Sequence, residues 1–553
     1  MSEKPEDFIQ TNHPNSIYFN PICEAELLII INKLKAKTSQ GYDGISTKIM
    51  KQSILEICRP LTHIINLSLS TGVVPNQMKT AKIIPIFKTG DKHLFTNYRP
   101  ISILPAFSKV LEKVTANKLI NFLESNKLLY KHQYGFRKNH STVHPIIHLL
   151  YNIAEANDKP TKDTTLALFL DLSKAFDTVS HDILLEKLNK YGIRGVANNW
   201  FRSYLNERRQ FTAFNSMNST LRTITCGVPQ GSILGPLLFL IYINDLFLST
   251  DLNILTFADD TTAFTSHSDM EKLARNVNRE MEKIHEWCCS NKLSLNIKKT
   301  NYSLFGSNRN NMMNTEIKSN NVTINRIGNN CQDTAVKFLG IYLDENLTWK
   351  KQVNKVKSIV SRSIFAMNKV KNLLPRDALK TLYYALVHCN LMYGLLVWGN
   401  APSVQKLVIL QKRAIRIIHK KGYRAHTEPL FKTSQILKLT DLYKCQVRLF
   451  MHDHKTNKLP NSFVNLFHRP NHQTATTRYT ADNLYRERPR TKFSESLPKH
   501  TFIMLWNNLN DATKQIDNRN IFKNTMITAT LNSYSNYITC ENAHCRQCNG
   551  NPL

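Results

Sequence analysis

Two acidic segments of the chain carry the residue types that a pair of divalent metal ions would require. One apolar, β-rich run ends at Asp171, and a second ends at the adjacent pair Asp259 and Asp260. Hard cations such as Mg²⁺ prefer carboxylate oxygens, and nucleotidyl transfer uses two such ions about 3.5–4 Å apart. An Asp-Asp pair alone is a weak indication, because such pairs also occur in turns and helix caps. Two strands that each deliver an acid to a sheet edge indicate this chemistry much more strongly.

A glycine-containing loop lies between the two acidic segments, at residues 227–232, with the sequence GVPQGS. Its two glycines allow the backbone to approach a ligand closely, and Pro229 restricts the backbone at the entry to the next element. An apolar, helix-like run follows over residues 234–246. Alone, the segment could be any turn from a strand to a helix. Its position between two acid-tipped strands favours a loop that binds a ligand.

The elements that must position these residues are short β-rich runs that alternate with helical patterns. The two runs that matter most are residues 165–172 and 254–260, each of which ends in carboxylates. This alternation indicates an α/β or α+β body. The Asn-rich stretch 307–330 predicts an exposed insertion between two more apolar regions.

Beyond residue 343 the pattern changes to helix. Apolar residues at 353, 356, 359, 360, 364 and 367 have helical spacing, and basic residues recur on a different face. A second basic helix carries Arg413, Arg416 and Lys420 opposite an apolar face. The ordinary interpretation of each helix is one packed face and one solvated face. Two in succession, beside a metal-dependent core, favour a thumb that grips the backbone of a duplex.

Basic residues are in large excess over the whole chain. Of the 553 residues, 73 are Lys or Arg and 41 are Asp or Glu, which leaves a net charge of +32. Such an excess predicts a polyanionic partner, and nucleic acid is the leading class. Binding to an anionic membrane surface is a weaker alternative, because the basic residues are spread along the chain and are not gathered beside an apolar anchor.

The chain lacks the patterns typical of secreted and membrane proteins. Its first residues, MSEKPEDFIQ, are polar and acidic, unlike a signal peptide. The most apolar run, 233–248, is interrupted by Asn244 and Asp245 and is too short to cross a bilayer. The 11 cysteines have no regular spacing, which favours reduced thiols. These features predict a protein of the nucleus, the cytoplasm or both, neither secreted nor bound to a membrane.

Taken in chain order, these segments resemble the motifs of reverse transcriptases from non-LTR retrotransposons, specifically the jockey- and CR1-like elements. The likeness runs from about residue 24 to residue 420, and the stretch WNNL at 506–509 also fits. The matching blocks are KTSQGYDG at 37–44, the fingers motifs at 81–88 and 97–102, QYGFR at 133–137, palm motif A around Asp171, motif B around Gln230 and Gly231, motif C at Asp259 and Asp260, motif D at 296–300 and the primer-grip block KFLG at 337–340. A match of every motif block in the same order does not arise by chance.

The resemblance implies an α+β fold: a right-hand polymerase with fingers, a palm built on an antiparallel sheet and a helical thumb, followed by a basic C-terminal region. The implied boundaries are 1–75 for an N-terminal extension with a short family motif, 76–345 for fingers and palm, 346–421 for the thumb, and 422–553 for a basic region of uncertain fold. The implied activity is extension of a DNA 3′ end on an RNA template, from dNTPs, by two-metal nucleotidyl transfer. The alternative is a catalytically idle remnant of a truncated element that still binds nucleic acid.

Residue roles follow from the resemblance, position by position. Asp171, Asp259 and Asp260 are the expected catalytic acids and, with the backbone carbonyl of Leu172, the expected ligands of two Mg²⁺ ions, which Mn²⁺ could replace. The residues expected to bind the incoming nucleotide are Lys88, Arg99, Phe176, Gln230, Gly231 and Lys299. The residues expected to bind the primer or the template are Leu339, Gly340, Arg413, Arg416 and Lys420.

The nucleotide-binding residues have specific expected functions. Lys88 and Arg99 would contact the triphosphate, Arg99 through its forked donors, and Gln230 and Gly231 would line the nucleotide and template pocket. Phe176 would lie under the sugar and exclude a 2′-hydroxyl, so that deoxynucleotides are preferred; the alternative is a phenylalanine of the core. Lys299 could protonate the leaving pyrophosphate, and the alternative is a solvated surface lysine.

Two further expectations concern the ends of the chain. Elements of this type carry an endonuclease before the polymerase, and few residues precede the first motif here, so we expect the endonuclease to be supplied separately if the element is mobile. Near the C-terminus, Cys540, His544, Cys545 and Cys548 lack the spacing of a zinc knuckle, and free thiols are favoured over a degenerate zinc site. The oligomeric state is left open.

Overall fold

The computed structural model describes residue 8 and residues 12–306, 316–329, 331–467 and 483–534. Helices and strands are mixed along the chain, so the predicted α+β class is confirmed. The Cys/His cluster at 540–548 and the first part of the Asn-rich stretch lie outside the described residues. Within the described part of the chain, no helix has the length and apolar character needed to cross a membrane.

The regular elements are named here in chain order. The strands are β1 (Thr80–Phe87), β2 (Tyr98–Ile103), β3 (Thr164–Leu170), β4 (Arg209–Phe214), β5 (Met217–Asn218), β6 (Arg222–Thr223), β7 (Asn253–Phe257), β8 (Asp260–His267), β9 (Asn301–Phe305), β10 (Lys318–Ser319), β11 (Val322–Thr323), β12 (Asn325–Arg326), β13 (Val336–Phe338) and β14 (Ile341–Leu343). The helices are α1 (Glu24–Lys33), α2 (Thr47–Gln52), α3 (Ile54–Thr71), α4 (Ala106–Ser125), α5 (Val143–Asp158), α6 (His181–Lys190), α7 (Gly195–Leu205), α8 (Leu234–Tyr242), α9 (Met270–Ser290), α10 (Lys350–Val370), α11 (Arg376–Leu382), α12 (Cys389–Met392), α13 (Leu395–Trp398), α14 (Gln405–Ile418), α15 (Glu428–Ser434), α16 (Leu439–Lys455), α17 (Lys492–Glu495), α18 (Pro498–Asn507), α19 (Asp511–Lys514) and α20 (Arg519–Asn532).

The central sheet has the strand order β12-β9-β3-β8-β7. Its pairs are antiparallel except for the short parallel pair of β12 with β9. Every residue of β3 is buried. Successive side chains of a strand point to opposite faces, so Leu166 and Leu168 enter one hydrophobic core whereas Ala167 and Phe169 enter another. Because both faces of the sheet are covered, the run before Asp171 is apolar without alternation.

Helices cover the two faces of this sheet. One core contains residues of α1, α3, α4, α6, α7, α8 and α9, so the N-terminal segment packs with the sheet. The other core contains residues of α5, α10, α14, α16, α18 and α20. The described residues after 422, whose fold the sequence did not indicate, form helices α15 to α20 and share a core with the preceding helices.

A second sheet has the order β2-β1-β4-β5, with β6 paired to β4. Strands β1 and β2 form an antiparallel hairpin in which Phe87 pairs with Tyr98, and β1 pairs with β4 in parallel. The backbone N–H of Ser102 on β2 donates to the carbonyl of Gln230, 2.7 Å away. This contact attaches the second sheet to the glycine-containing loop.

Two predicted elements have different limits in the structure. The predicted strand 254–260 is a hairpin, in which β7 ends at Phe257 and β8 begins at Asp260. The turn is possible because Ala258 adopts a φ of +60°, a conformation that such turns usually give to glycine. The predicted helix 234–246 ends at Tyr242. The predicted helix after residue 343 is α10, and it buries Val353, Val356, Val360, Ile364 and Met367.

Candidate active site

The sheet register brings the three acids to one end of adjacent strands. Asp171 directly follows β3, Asp259 lies in the β7–β8 turn, and Asp260 is the first residue of β8. Leu170 pairs with Thr261 across β3 and β8, so the residues just beyond this pair are neighbours. The two acidic segments predicted from the sequence therefore meet at one edge of the central sheet.

A cleft of about 1270 Å³ opens at this edge. It is bounded by the central sheet, the second sheet and the loop 227–232. The predicted site residues among those that line it are Lys88, Arg99, Asp171, Leu172, Phe176, Gln230, Gly231, Asp259 and Lys299. All six residues expected to bind the incoming nucleotide thus face the same space as two of the acids. Asp260 lies beside the cleft and is exposed.

Negative charge is concentrated at the acidic end of the cleft. Desolvation raises the pKa of Asp259, the charge of Asp171 raises it further, and Arg99 and Lys88 oppose the shift. Desolvation by the surrounding atoms, together with the charges of Asp259 and Asp171, raises the pKa of Asp260 to about 6. A divalent cation would relieve this repulsion, and carboxylates are the ligands that Mg²⁺ prefers.

Asp260 is placed differently from the other two acids. Among the described residues, no group of three or more His, Cys, Asp or Glu side chains is arranged to hold a metal ion. Asp171 and Asp259 line the cleft with Leu172, whereas Asp260 does not line it. The carboxylates of Asp171 and Asp259 suit a divalent cation, and Asp260 adds negative charge from beside the cleft.

Gln133 supports the β7–β8 hairpin that carries Asp259 and Asp260, here called the acidic hairpin. It contacts this hairpin on the side away from the cleft. Its side-chain Oε1 accepts hydrogen bonds from the backbone N–H of Ala258 at 3.0 Å and of Gly135 at 2.8 Å. The backbone of Tyr134 also donates to the carbonyl of Thr256 at 2.8 Å. A Cβ at Gly135 would lie 2.3 Å from the nitrogen of Ala258, so only glycine permits this approach. The sequence placed these residues in a family block but did not indicate this role.

The segment 294–300 holds the backbone on both sides of Asp171. The carbonyl of Asp171 accepts from the N–H of Asn296 at 2.8 Å, and the N–H of Asp171 donates to Oγ1 of Thr300 at 3.2 Å. Ser173 adds a bond to the carbonyl of Ser294 at 2.8 Å. This pairing carries Lys299 to the cleft, where its side chain is exposed.

The loop 227–232 is held by the carboxylates of Asp177 and Glu112, which are not among the predicted site residues. Gln230 donates from Nε2 to Oδ1 of Asp177 at 2.8 Å. Gly231 has a φ of +124°, and a Cβ there would lie 2.5 Å from the carbonyl oxygen of Ser102. The buried carboxylate of Glu112 accepts from the N–H of Ile233 at 2.6 Å, at the entrance to α8. The two glycines and this carboxylate together determine the path of the loop.

Phe176 combines the two alternatives considered for it. Its ring lines the cleft and also stacks on Phe239 of α8, with 4.3 Å between the ring centroids. The ring of Phe136 lies nearly perpendicular to it, with 6.3 Å between the ring centroids. Phe176 is therefore partly packed against the core and partly presented to the cleft.

The expected primer-binding turn is Leu339 and Gly340, which join β13 to β14. Both residues have positive φ values, +45° and +82°. The hydroxyl of Tyr393 donates to the carbonyl of Leu339 at 2.6 Å, and Nζ of Lys355 donates to the carbonyl of Gly340 at 3.4 Å. Neither turn residue is among those that line the cleft. The turn is thus held by α10 and by the residue that follows α12.

The predicted basic face of the second helix is wrong in one residue. Arg413 and Lys420 are exposed, but Arg416 is only 8% exposed. The chain folds back after α14, so that Nε of Arg416 donates to the carbonyl of Ala425 at 2.8 Å and the guanidinium lies over the ring of Tyr423. Arg416 therefore cannot present a free guanidinium to a phosphate in this arrangement.

The sequence is similar to a known protein family and to several known proteins. The family described as "Reverse transcriptase (RNA-dependent DNA polymerase)" matches residues 86–343. The chain is 31% identical over 435 residues to the probable RNA-directed DNA polymerase from transposon BS of Drosophila melanogaster, a match that covers 74% of this chain and 46% of that protein. It is 26% identical over 487 residues to the RNA-directed DNA polymerase from mobile element jockey of the same species, which covers 84% of this chain and 51% of that protein.

A third relative is similar to the chain to about the same degree. The probable RNA-directed DNA polymerase from transposon X-element of Drosophila melanogaster is 29% identical over 412 residues, covering 72% of this chain and 44% of that protein. The chain spans about half the length of the curated relatives it matches. As its motifs predicted, residues 86–343 match the reverse transcriptase family, and most of the chain is similar to the RNA-directed DNA polymerases of these Drosophila transposable elements.

Proposed function

We propose that this chain is an RNA-directed DNA polymerase that extends a DNA 3′ end on an RNA template from dNTPs. The observation that carries the proposal is the cleft in which two acids, Asp171 and Asp259, share one space with Lys88, Arg99 and Phe176. The acids suit divalent cations, the basic residues suit a triphosphate, and the ring suits a sugar. The net charge of +32 is consistent with nucleic-acid substrates.

Two Mg²⁺ ions, or Mn²⁺ in their place, would activate the 3′-hydroxyl and stabilise the charge that develops on the triphosphate. Asp171, Asp259 and the carbonyl of Leu172 would hold these ions. Asp260 raises the local negative potential and so favours a doubly charged cation. Desolvation and the neighbouring carboxylates raise the pKa values of Asp259 and Asp260, and a bound cation would lower these pKa values again.

The remaining residues of the cleft would bind and orient the nucleotide. Arg99 and Lys88 would contact the triphosphate, with Arg99 able to form two parallel hydrogen bonds to phosphate oxygens. Phe176 would support the sugar and exclude a 2′-hydroxyl. Gln230 and Gly231 would line the pocket for the base pair. Lys299 would donate a proton to the leaving pyrophosphate.

The same proposal assigns a right-hand architecture to the chain. The central sheet with its acids would be the palm, and the second sheet would belong to the fingers, together spanning 76–345. Residues 346–421 would form a thumb that grips the template–primer duplex, with the Leu339–Gly340 turn against the primer. Residues 1–75 would be an N-terminal extension and 422–553 a basic C-terminal region. Its RNA and DNA substrates would place the enzyme in the nucleus or the cytoplasm.

Primer extension with purified protein tests the proposal directly. A DNA primer on an RNA template is incubated with dNTPs or with NTPs, in the presence of Mg²⁺, Mn²⁺ or a chelator. We expect metal-dependent extension with dNTPs and little extension with NTPs. Tight binding of the template–primer without any extension would instead identify an idle nucleic-acid-binding remnant. Equal use of NTPs would contradict the assignment of Phe176.

A further inference from the structure

An aromatic side chain of the region after residue 422 packs on the residues that support the acidic hairpin. Phe463, in the one-turn helix Asn461–Phe463, is fully buried. Its ring lies 6.3 Å from that of Tyr134, 5.3 Å from that of His144 and 6.0 Å from that of His148. Tyr134 belongs to the QYGFR block at 133–137, and His144 and His148 belong to helix α5. Both segments lie directly behind the cleft.

A hydrogen bond reinforces this aromatic contact. The hydroxyl of Tyr134 donates to Oγ of Ser462 at 3.0 Å and lies 3.2 Å from Nδ1 of His148. Tyr134 is 1% exposed, so its hydroxyl depends on these partners. Ser462 and Phe463 therefore hold the same tyrosine at its hydroxyl and at its ring.

The surrounding imidazoles are neutral. Burial lowers the pKa of His132 to about 3, and it lowers the pKa values of His144 and His148 to about 4. Neutral rings pack against Phe463 without burying a charge. The contact is thus an uncharged aromatic one.

Tyr134 connects this contact to the acids. Its backbone N–H donates to the carbonyl of Thr256 on β7, and its two chain neighbours are Gln133 and Gly135. Gln133 accepts from the N–H of Ala258, the residue before Asp259. The path from Phe463 to the acidic turn therefore consists of one side-chain contact, one residue of backbone and one hydrogen bond.

We propose that Phe463 is a positioning residue for the acidic hairpin, so that polymerisation depends on the region after residue 422 through its contact with Tyr134. The proposal rests on the proposed polymerase function for its effect on catalysis, but its structural half does not. Loss of the ring would free Tyr134 to shift and would loosen the bond from Gln133 to the hairpin. A displacement of about 1 Å at a catalytic group can cost roughly 10²-fold in rate.

The test compares two buried phenylalanines of the same region. Phe463→Ala removes the contact with Tyr134, whereas Phe522→Ala removes an equally buried ring of α20 that packs on His452 and Trp506. Both variants are studied below their melting temperatures, as full-length chains. For Phe463→Ala we expect single-nucleotide incorporation to fall at least about tenfold and the Mg²⁺ concentration for half-maximal rate to rise severalfold, on the scale that misplacement allows. Phe522→Ala should change neither quantity.

Hydrogen exchange of a peptide spanning 254–262 supplies a readout that needs no activity. Exchange in this peptide should accelerate in Phe463→Ala and remain as in the wild type in Phe522→Ala. Phe463→Leu, which restores an apolar side chain, should recover most of the lost rate and protection. Wild-type exchange and metal dependence in Phe463→Ala would overturn the inference. An inactive wild-type protein would overturn the proposed function alone, and the exchange data would still decide the positioning role.

Discussion

The side chain of Gln133 and the backbone of Ala258 are joined by a hydrogen bond of 3.0 Å that lies directly behind Asp259. The same Oε1 atom accepts from Gly135 at 2.8 Å, so one buried oxygen connects two turns. Ala258 has a φ of +60°, a conformation that few residues other than glycine adopt without cost. The bond therefore stabilises a turn whose own sequence does not favour it.

Replacement of Gln133 should affect catalysis more than binding. Gln133→Leu leaves two buried N–H groups without an acceptor, which costs about 1–3 kcal/mol each, and lets the hairpin move. We expect the rate of nucleotide incorporation to fall about 10- to 100-fold, with template–primer affinity nearly unchanged. Gln411→Leu is the matched control, because Gln411 is also buried and accepts from the N–H of Leu439. Equal losses of activity in both variants would show that Gln133 acts only through stability.

Removal of either carboxylate that lines the cleft, that of Asp171 or that of Asp259, should abolish primer extension. Asp171→Asn and Asp259→Asn each remove a charged ligand, and the rate should fall by several orders of magnitude, because a metal supplies several kcal/mol of stabilisation. Duplex binding should persist. Asp163→Asn, at the opposite end of β3 from Asp171, should leave the rate unchanged. Near-normal turnover in either cleft variant, measured by single-nucleotide kinetics, would refute the metal assignment.

Asp260 should respond differently from the two facing acids. It adds charge beside the cleft and does not line it. Asp260→Asn should therefore weaken metal activation, raising the Mg²⁺ concentration for half-maximal rate, while retaining more activity than Asp171→Asn or Asp259→Asn at saturating metal. Titration of the rate with Mg²⁺ measures both effects. A loss as complete as that of the other two would make Asp260 a direct ligand.

Substitution of Phe176 should alter the choice of sugar. Phe176→Val removes the ring that would collide with a 2′-hydroxyl, so NTP incorporation should rise while dNTP incorporation falls modestly. Because the ring also stacks on Phe239, the variant should lose stability, by less than the 3–5 kcal/mol that full truncation to alanine costs. Phe201→Val is the control, because Phe201 is a buried residue of α7. This variant should lose stability without a change in sugar preference. Single-nucleotide kinetics with both substrates, beside a melting curve, distinguish the two effects.

The exposed residues Arg413, on α14, and Lys420, just after α14, should contribute to binding through charge alone. Neutralising Arg413 and Lys420 should weaken template–primer binding without changing base preference, since phosphate contacts carry no sequence information. The slope of log affinity against log salt should shrink by up to about 0.9 for each lost phosphate contact on B-form DNA. Arg416→Met should lower the melting temperature and leave the slope unchanged, because Arg416 is buried. An unchanged slope in the double variant would mean that neither residue contacts a phosphate.

Local sequence was sufficient for the composition of the candidate site. Asp171, Gln230 and Asp259 lie in short motifs whose residue types and order are set within a few positions of each other, and the apolar runs around them predicted the strands that bring them together. Helix α10 was equally readable, because its buried residues recur at helical spacing. Patterns of this kind depend on backbone periodicity, which a single segment expresses by itself.

Tertiary structure decided what depends on segments distant in the chain. Whether Arg416 is exposed was determined by the loop that folds back over it, and helical periodicity contains no information about that loop. The hydrogen bond from the N–H of Ala258 to Gln133 joins residues 125 positions apart, and that from Tyr134 to Ser462 joins residues 328 apart. Such contacts follow from the way whole elements pack, because burial and hydrogen-bond partners are properties of the assembled chain.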